Sequence, residues 1–177
     1  MINASILKHI LSATLFLACA LLNAQEPIQL ENYSFKHSGT TSASREAIWA
    51  LWTDVENWKL FDERLEYSQL IDTDTFTLGS RGEMKGKGAP KTAFEVIAMD
   101  EGHSFTIKLE LPLYQRVELQ RYFESSDIGE TIFTHEVNFR GRLKSLYYLF
   151  LAGPFRSDLE LVIEEIQAIA DKSASSL

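Results

Sequence analysis

Apolar residues change their spacing along this chain, and each change marks a different element. Tyr33 to Ser38 alternates in the manner of a short opening strand. Ile48, Leu51, Trp52 and Val55 then recur at helical spacing, with Ser44 as the N-cap candidate and Glu46 in the first turn, which predicts an amphipathic helix. A second short helical piece follows around Trp58 to Phe61. From Leu65 to Gly141 the period becomes two, and six strands are readable at 64–72, 80–87, 91–99, 103–112, 115–125 and 130–139. Turn signals separate them at Leu78-Gly79, Gly88-Ala89-Pro90, Asp100-Glu101-Gly102, Leu111-Pro112 and Asp127-Ile128-Gly129. Connections this short suit an antiparallel meander, because parallel crossovers consume more chain. From Leu143 to about Asp171 the helical period returns, with Phe155, Leu159, Val162, Ile166 and Ile169 on one stripe. Gly153-Pro154 predicts a kink there, or a break into two helical segments. A strand, two short helices, six strands and a long helix make an α+β plan. Such a plan allows a curved antiparallel sheet to wrap that last helix and leave a space between them.

The first 24 residues stand apart from this plan. A start carrying only Lys8, an apolar run from Ile10 to Leu22 and small Ala24 before Gln25 have the layout of a secretory signal peptide. The run is shorter than the ~20 residues that span a bilayer. Cleavage after Ala24 is preferred and cleavage after Ala20 is the alternative; a lipid anchor on Cys19 is a lesser one. Residues 25–177 then form a single domain with its core at about 33–171, exported to the periplasm or secreted. The mature chain loses its only cysteine, so the core alone must hold it together. Removing Lys8 takes the formal net charge from −8 to −9, an excess that disfavours nucleic acid and anionic membrane surfaces as partners. No membrane span is expected after cleavage.

Three motifs in this order resemble the START/Bet v 1-like superfamily, also called the SRPBCC group, and within it the polyketide cyclase/dehydrase and lipid-transport family. They are ASREAIWALWTDVENWKLFDE with Asp54, Val55 and Trp58 at its turn, FEVIAMDEGHSFTI, and ETIFTHEVNFRGRL with Gly141 at the strand-to-helix junction. The resemblance runs from about Tyr33 to Asp171. It implies a helix-grip fold: a curved antiparallel sheet around a long C-terminal helix, two short helices after the first strand, and a hydrophobic cavity inside. The resemblance also implies that the short helices form a V against the end of the long one. On that reading Trp49 and Trp52 are packing residues, since aromatics on an amphipathic helix are ordinary core. Trp58 sits at a turn near the expected cavity mouth.

With the cavity under the sheet, alternation sorts the strand residues. Phe105, Ile107 and Leu109 share one face; so do Leu119, Arg121 and Phe123; so do Phe133, His135 and Val137. Arg121 and His135 are therefore polar side chains on apolar rows. A buried guanidinium needs a carboxylate, carbonyls, water or a ligand's acid group. His135 is suited to orienting a ligand or moving a proton near neutral pH. The plainer alternative makes His135 a satisfied core residue and sends Arg121 to the rim or to Glu83 or Asp158. Tyr147 and Phe150 on the long helix are candidate roof residues, and Tyr67 is a candidate wall.

Other signals lead nowhere. GSRGEMKGKG lacks the phosphate-binding GxxxxGK[ST] pattern, and its glycines suit sheet curvature or a bulge. Arg81, Lys85, Lys87 and Lys91 read as a solvated strand face. His37, His103 and His135 are scattered without metal-ligand spacing, so neither a metal nor a cofactor is expected. No nucleophile triad is visible. The leading expectation is a carrier or binding protein for a small hydrophobic, lipid-like or polyketide-like molecule. The alternatives are a cyclase or dehydratase with His135 as general base, and a protein-interaction module with an incidental cavity; a protein partner is not indicated.

Overall fold

The computed structural model describes residues 33–125 and 129–175; the expected signal segment, Cys19 and two residues of the Asp127-Ile128-Gly129 turn lie outside them. The chain runs β1 (Ser34–Thr41), α1 (Arg45–Thr53), a 3₁₀ turn (Val55–Leu60), β2 (Leu65–Leu70), β3 (Arg81–Gly86), β4 (Lys91–Asp100), β5 (Ser104–Leu111), a short 3₁₀ turn (Pro112–Tyr114), β6 (Gln115–Glu124), β7 (Thr131–Arg140) and α2 (Lys144–Ala174). Every strand and helix predicted from periodicity is present, with ends shifted by a few residues. Among the described residues no helix is long and apolar enough to cross a membrane.

The strands form one antiparallel sheet in the order β1-β7-β6-β5-β4-β3-β2. Breaks in register at Leu65/Tyr67 and Val96/Ala98 bend it, as β-bulges do. Register fixes what meets on the inner face. One row runs His37, His135, Arg121, Phe105, and the next runs Phe35, Val137, Leu119, Ile107.

Helix α1 begins where Ser44 accepts a hydrogen bond from the Ala47 amide at 3.3 Å. It buries Ile48 and Trp52 completely. Trp52 stacks on Phe123 with centroids 4.8 Å apart and meets Phe105 and Phe133 edge-on. The Trp58 indole donates to the Trp52 carbonyl at 2.9 Å, tying the 3₁₀ turn to α1. The tryptophan-rich stretch is a clasp.

Helix α2 packs on β1 and β7 and stands off the middle of the sheet. Gly39 on β1 makes the close approach feasible, because a Cβ there would lie 2.6 Å from the Phe133 ring and 2.9 Å from Ile163. The helix enters through Gly141, whose φ of +114° suits glycine alone. The Gln115 side chain fills the space beside it and accepts from the Leu143 amide at 2.7 Å. The break expected at Gly153-Pro154 does not occur: α2 runs unbroken for 31 residues. Proline withholds one helix hydrogen bond, and the buried stripe of Leu159, Val162, Ile163 and Ile166 that follows keeps the helix continuous.

Candidate functional site

Where α2 leaves the sheet, a cavity of about 300 Å³ remains. Its walls are chiefly apolar: Leu109 and Leu111 of β5, Leu119 of β6, Val137 of β7, Met84 of β3, and Phe155, Leu159 and Val162 of α2. Arg121 and His135 also line it. They face each other directly across β6 and β7, a juxtaposition that follows from register and not from either strand alone.

Arg121 is 8% exposed and His135 4%. Three rings surround the guanidinium carbon, those of Trp58 at 5.1 Å, Phe61 at 5.5 Å and Phe105 at 5.7 Å. These attract the charge without accepting an in-plane hydrogen bond. Burial lowers the Arg121 pKa to about 10, against the opposing pull of Asp62, so the group stays protonated at neutral pH. Burial, then the charge of Arg121 and the neighbouring His37, pushes the His135 pKa well below its usual value, so the imidazole is neutral. Arg121 Nη1 and His135 Nε2 are both buried without a hydrogen-bond partner.

Neither sequence-derived partner reaches Arg121. Glu83 lies on the outer face, where it accepts from Tyr67, Gln69 and Lys91. Asp158 pairs with Arg64. Asp62, Arg64 and Asp158 form one end of the cavity and also line a smaller outer hollow of about 120 Å³. Burial pushes the carboxyls of Asp62 and Asp158 up from their ordinary values, against the pull of Arg64 on each.

Of the thirteen sequence-derived site residues, Arg121, His135, Leu109, Leu119 and Val137 line the cavity. Phe105, Ile107 and Phe133 are packed solid, and Phe123 is held against Trp52. Trp58 is 2% exposed and does not stand at a mouth; its ring lies against Phe94, Phe76 and the Arg121 guanidinium. Tyr147 and Phe150 form no roof. The Tyr147 hydroxyl donates to the Pro112 carbonyl at 3.0 Å, and Phe150 is 68% exposed, because this part of α2 lies beyond the cavity. Tyr67 is on the face opposite the cavity, donating to Glu83 at 2.9 Å. The basic cluster is a solvated face, with Arg81, Lys85 and Lys91 paired to Asp72, Glu66 and Glu83.

Sequence reasoning missed Asp62, Arg64 and Met84 as cavity residues. Asp158 carried a legible signal, since it interrupts the helical stripe of Phe155, Leu159 and Val162. A larger hollow of about 520 Å³ lies between α1 and the 74–78 loop, lined by Trp49, Thr53, Phe76 and Glu101 among others. It is mixed in polarity, and neither Arg121 nor His135 lines it.

No family model matches the sequence, and no curated protein does. Solved structures do resemble the fold. A START superfamily protein from Mycobacterium smegmatis aligns with a TM-score of 0.61 at 12% identity, over 78% of this chain and 97% of that one. The di-domain ARO/CYC StfQ of the steffimycin biosynthetic pathway aligns with a TM-score of 0.63 at 9% identity, over 81% of this chain and 52% of that one. Ara h 8.0201 aligns with a TM-score of 0.56 at 10% identity, over 76% of this chain and 97% of that one. The chain has the helix-grip fold of the START/Bet v 1-like superfamily.

Proposed function

We propose, with that helix-grip fold as the premise, that this protein binds and carries a small hydrophobic molecule in the cavity between sheet and α2. The observation that carries the reading is the hollow itself: about 300 Å³ walled mainly by aliphatic side chains, beside a core packed with aromatics. Apolar walls of that extent gain dispersion contacts when an apolar body replaces water against them. Affinity then comes from apolar contact, about 0.8 kcal/mol for each methylene withdrawn from water. The likeness to a START protein supports a carrier; the likeness to an ARO/CYC protein is compatible with chemistry in the same space.

Residues 1–24 are proposed as a cleaved export signal, which puts the carrier outside the cytoplasm. Intact mass of protein recovered from the cell exterior or periplasm tests this. A mature N-terminus at Gln25 is expected, and a full-length or diacylglycerol-modified product overturns it. The carrier reading is tested by organic extraction of freshly purified protein and mass spectrometry. Near-stoichiometric recovery of an apolar compound is expected; an empty protein that also fails to take up apolar probes overturns it.

A second reading has one observation in its favour. His135 lines the cavity as a neutral imidazole, the charge state a general base requires. Turnover of a recovered ligand, abolished by His135→Ala in a folded protein, distinguishes an enzyme from a carrier.

A further inference from the structure

The walls of the cavity ask for an apolar ligand, but two buried atoms on residues that line it ask for something else. Arg121 Nη1 and His135 Nε2 are buried donor-capable atoms with no partner, on side chains more than nine-tenths buried, at directly opposed positions of β6 and β7. Leaving such groups unsatisfied is among the more expensive arrangements in a folded protein. Among the described residues no carboxylate lies at ion-pair distance from Arg121: Asp158 and Glu83 are engaged elsewhere, and Asp62 acts on it only through space. The site is therefore a buried positive charge awaiting a counter-charge, with a neutral imidazole beside it.

From this we infer that the ligand is a carboxylate on a single short apolar body, its two oxygens meeting Arg121 Nη1–H and His135 Nε2–H while the body lies along Leu109, Leu119, Val137 and Leu159. The inference rests on the cavity-binding reading and adds the class of ligand to it. A planar guanidinium edge beside a second donor matches the two in-plane oxygens of a carboxylate. An ammonium head meets repulsion from Arg121. A neutral alcohol leaves the charge uncompensated. A phosphate monoester brings a third oxygen for which the two free donors offer no partner. Size sets a second limit. At about 30 Å³ for each water-sized unit, the cavity accommodates roughly ten such units, or an acid of about ten to twelve heavy atoms. A longer chain extends past the open side of the cavity and gains no further wall contacts.

The test is calorimetric titration of the delipidated full-length mature protein with a matched ten-carbon series: decanoate, 1-decanol and decylamine, with hexadecanoate for length. Decanoate is expected to bind at least tenfold more tightly than decanol, decylamine more weakly still, and hexadecanoate with no gain over decanoate. Arg121→Met is expected to weaken decanoate by about tenfold to a hundredfold while changing decanol by less than threefold. His135→Phe should weaken decanoate by a smaller factor. Arg121→Lys, which keeps the charge and loses the fork, serves where the methionine variant does not fold, and a loss of at least threefold is expected of it. Equal affinity for decanoate and decanol in the unmodified protein overturns the carboxylate assignment and leaves the carrier reading standing. Failure of every alkyl probe to bind overturns both.

Discussion

The inner face of the sheet holds two regions built from the same strands and finished differently. At one end Phe105, Phe123 and Phe133 close around Trp52 with no space left. A few residues along those strands, Leu109, Leu119 and Val137 face a hollow. Aromatic side chains reach across the gap to α1, whereas aliphatic ones fall short of α2, which rests on β1 and β7 instead. Arg121 and His135 share a row with Phe105, at the border of the two regions. The solid end surrounds the guanidinium with rings, and the same residue lines the hollow with one nitrogen left without a partner. Rigidity and vacancy are thus neighbours by construction, as a preorganised binding site requires.

The comparison can be broken most forcefully at Trp52. Trp52→Ala is expected to cost about 3–5 kcal/mol in urea denaturation, and Leu119→Ala on the cavity wall about 1–2, since that side chain already borders a void. Equal costs would mean that the two regions are packed alike. Next in size is Arg121→Met, which removes a buried charge balanced only by ring faces and the through-space pull of Asp62 and should raise stability by about 2 kcal/mol in the ligand-free protein. A stability loss would place a counter-charge beside Arg121 in solution.

Proton linkage gives an effect of similar size. His135 is held neutral in the fold, so below the ordinary histidine pKa of about 6.5 the unfolded chain takes up a proton that the folded chain refuses. That contribution is complete above pH 6.5 and is lost progressively as pH falls. His135→Gln lacks it, so its stability relative to the parent should improve by about 2 kcal/mol between pH 7 and pH 5, roughly 4–8 °C in melting temperature. The raised carboxyls of Asp62 and Asp158 are common to both proteins and cancel in the difference. A constant offset across that range would show His135 reaching water. The smallest effect is reserved for Phe150→Ala, which should fall within about 0.5 kcal/mol because the ring is exposed.

How much of this was legible depended on whether one element or several determined it. Alternation in HSFTIKLEL and TIFTHEVNF sufficed to sort inward from outward residues, because a strand's facing is a local property. Arg121 and His135 stood out for the same reason. That they oppose each other, and that Asp62 and Arg64 close the same hollow, depends on register and on a turn's path, which no local period encodes. Leu146 to Leu151 misled because an apolar run without polar interruption specifies no face, so Tyr147 and Phe150 gave no sign of lying beyond the cavity. Pro154 misled differently: local propensity opposed a continuous helix, and packing along the following turns overrode it.

The edge position of β1 has a consequence for how the molecule comes into being. Among the described residues its sole neighbour is β7, with Ser34 opposite Asn138 and Thr41 opposite Thr131, so the first of these strands to be made pairs with the last. Strands β2 to β6 can zip together in sequence order as the ribosome releases them, while β1 waits for nearly the whole chain. The seat for α2 on β1 and β7 exists only after that late closure. Hydrogen exchange should accordingly show protection arising in the β2–β6 ladder first and in β1 and α2 together at the end, with nascent chains ending before Thr131 prone to self-association through the unpaired β6 edge.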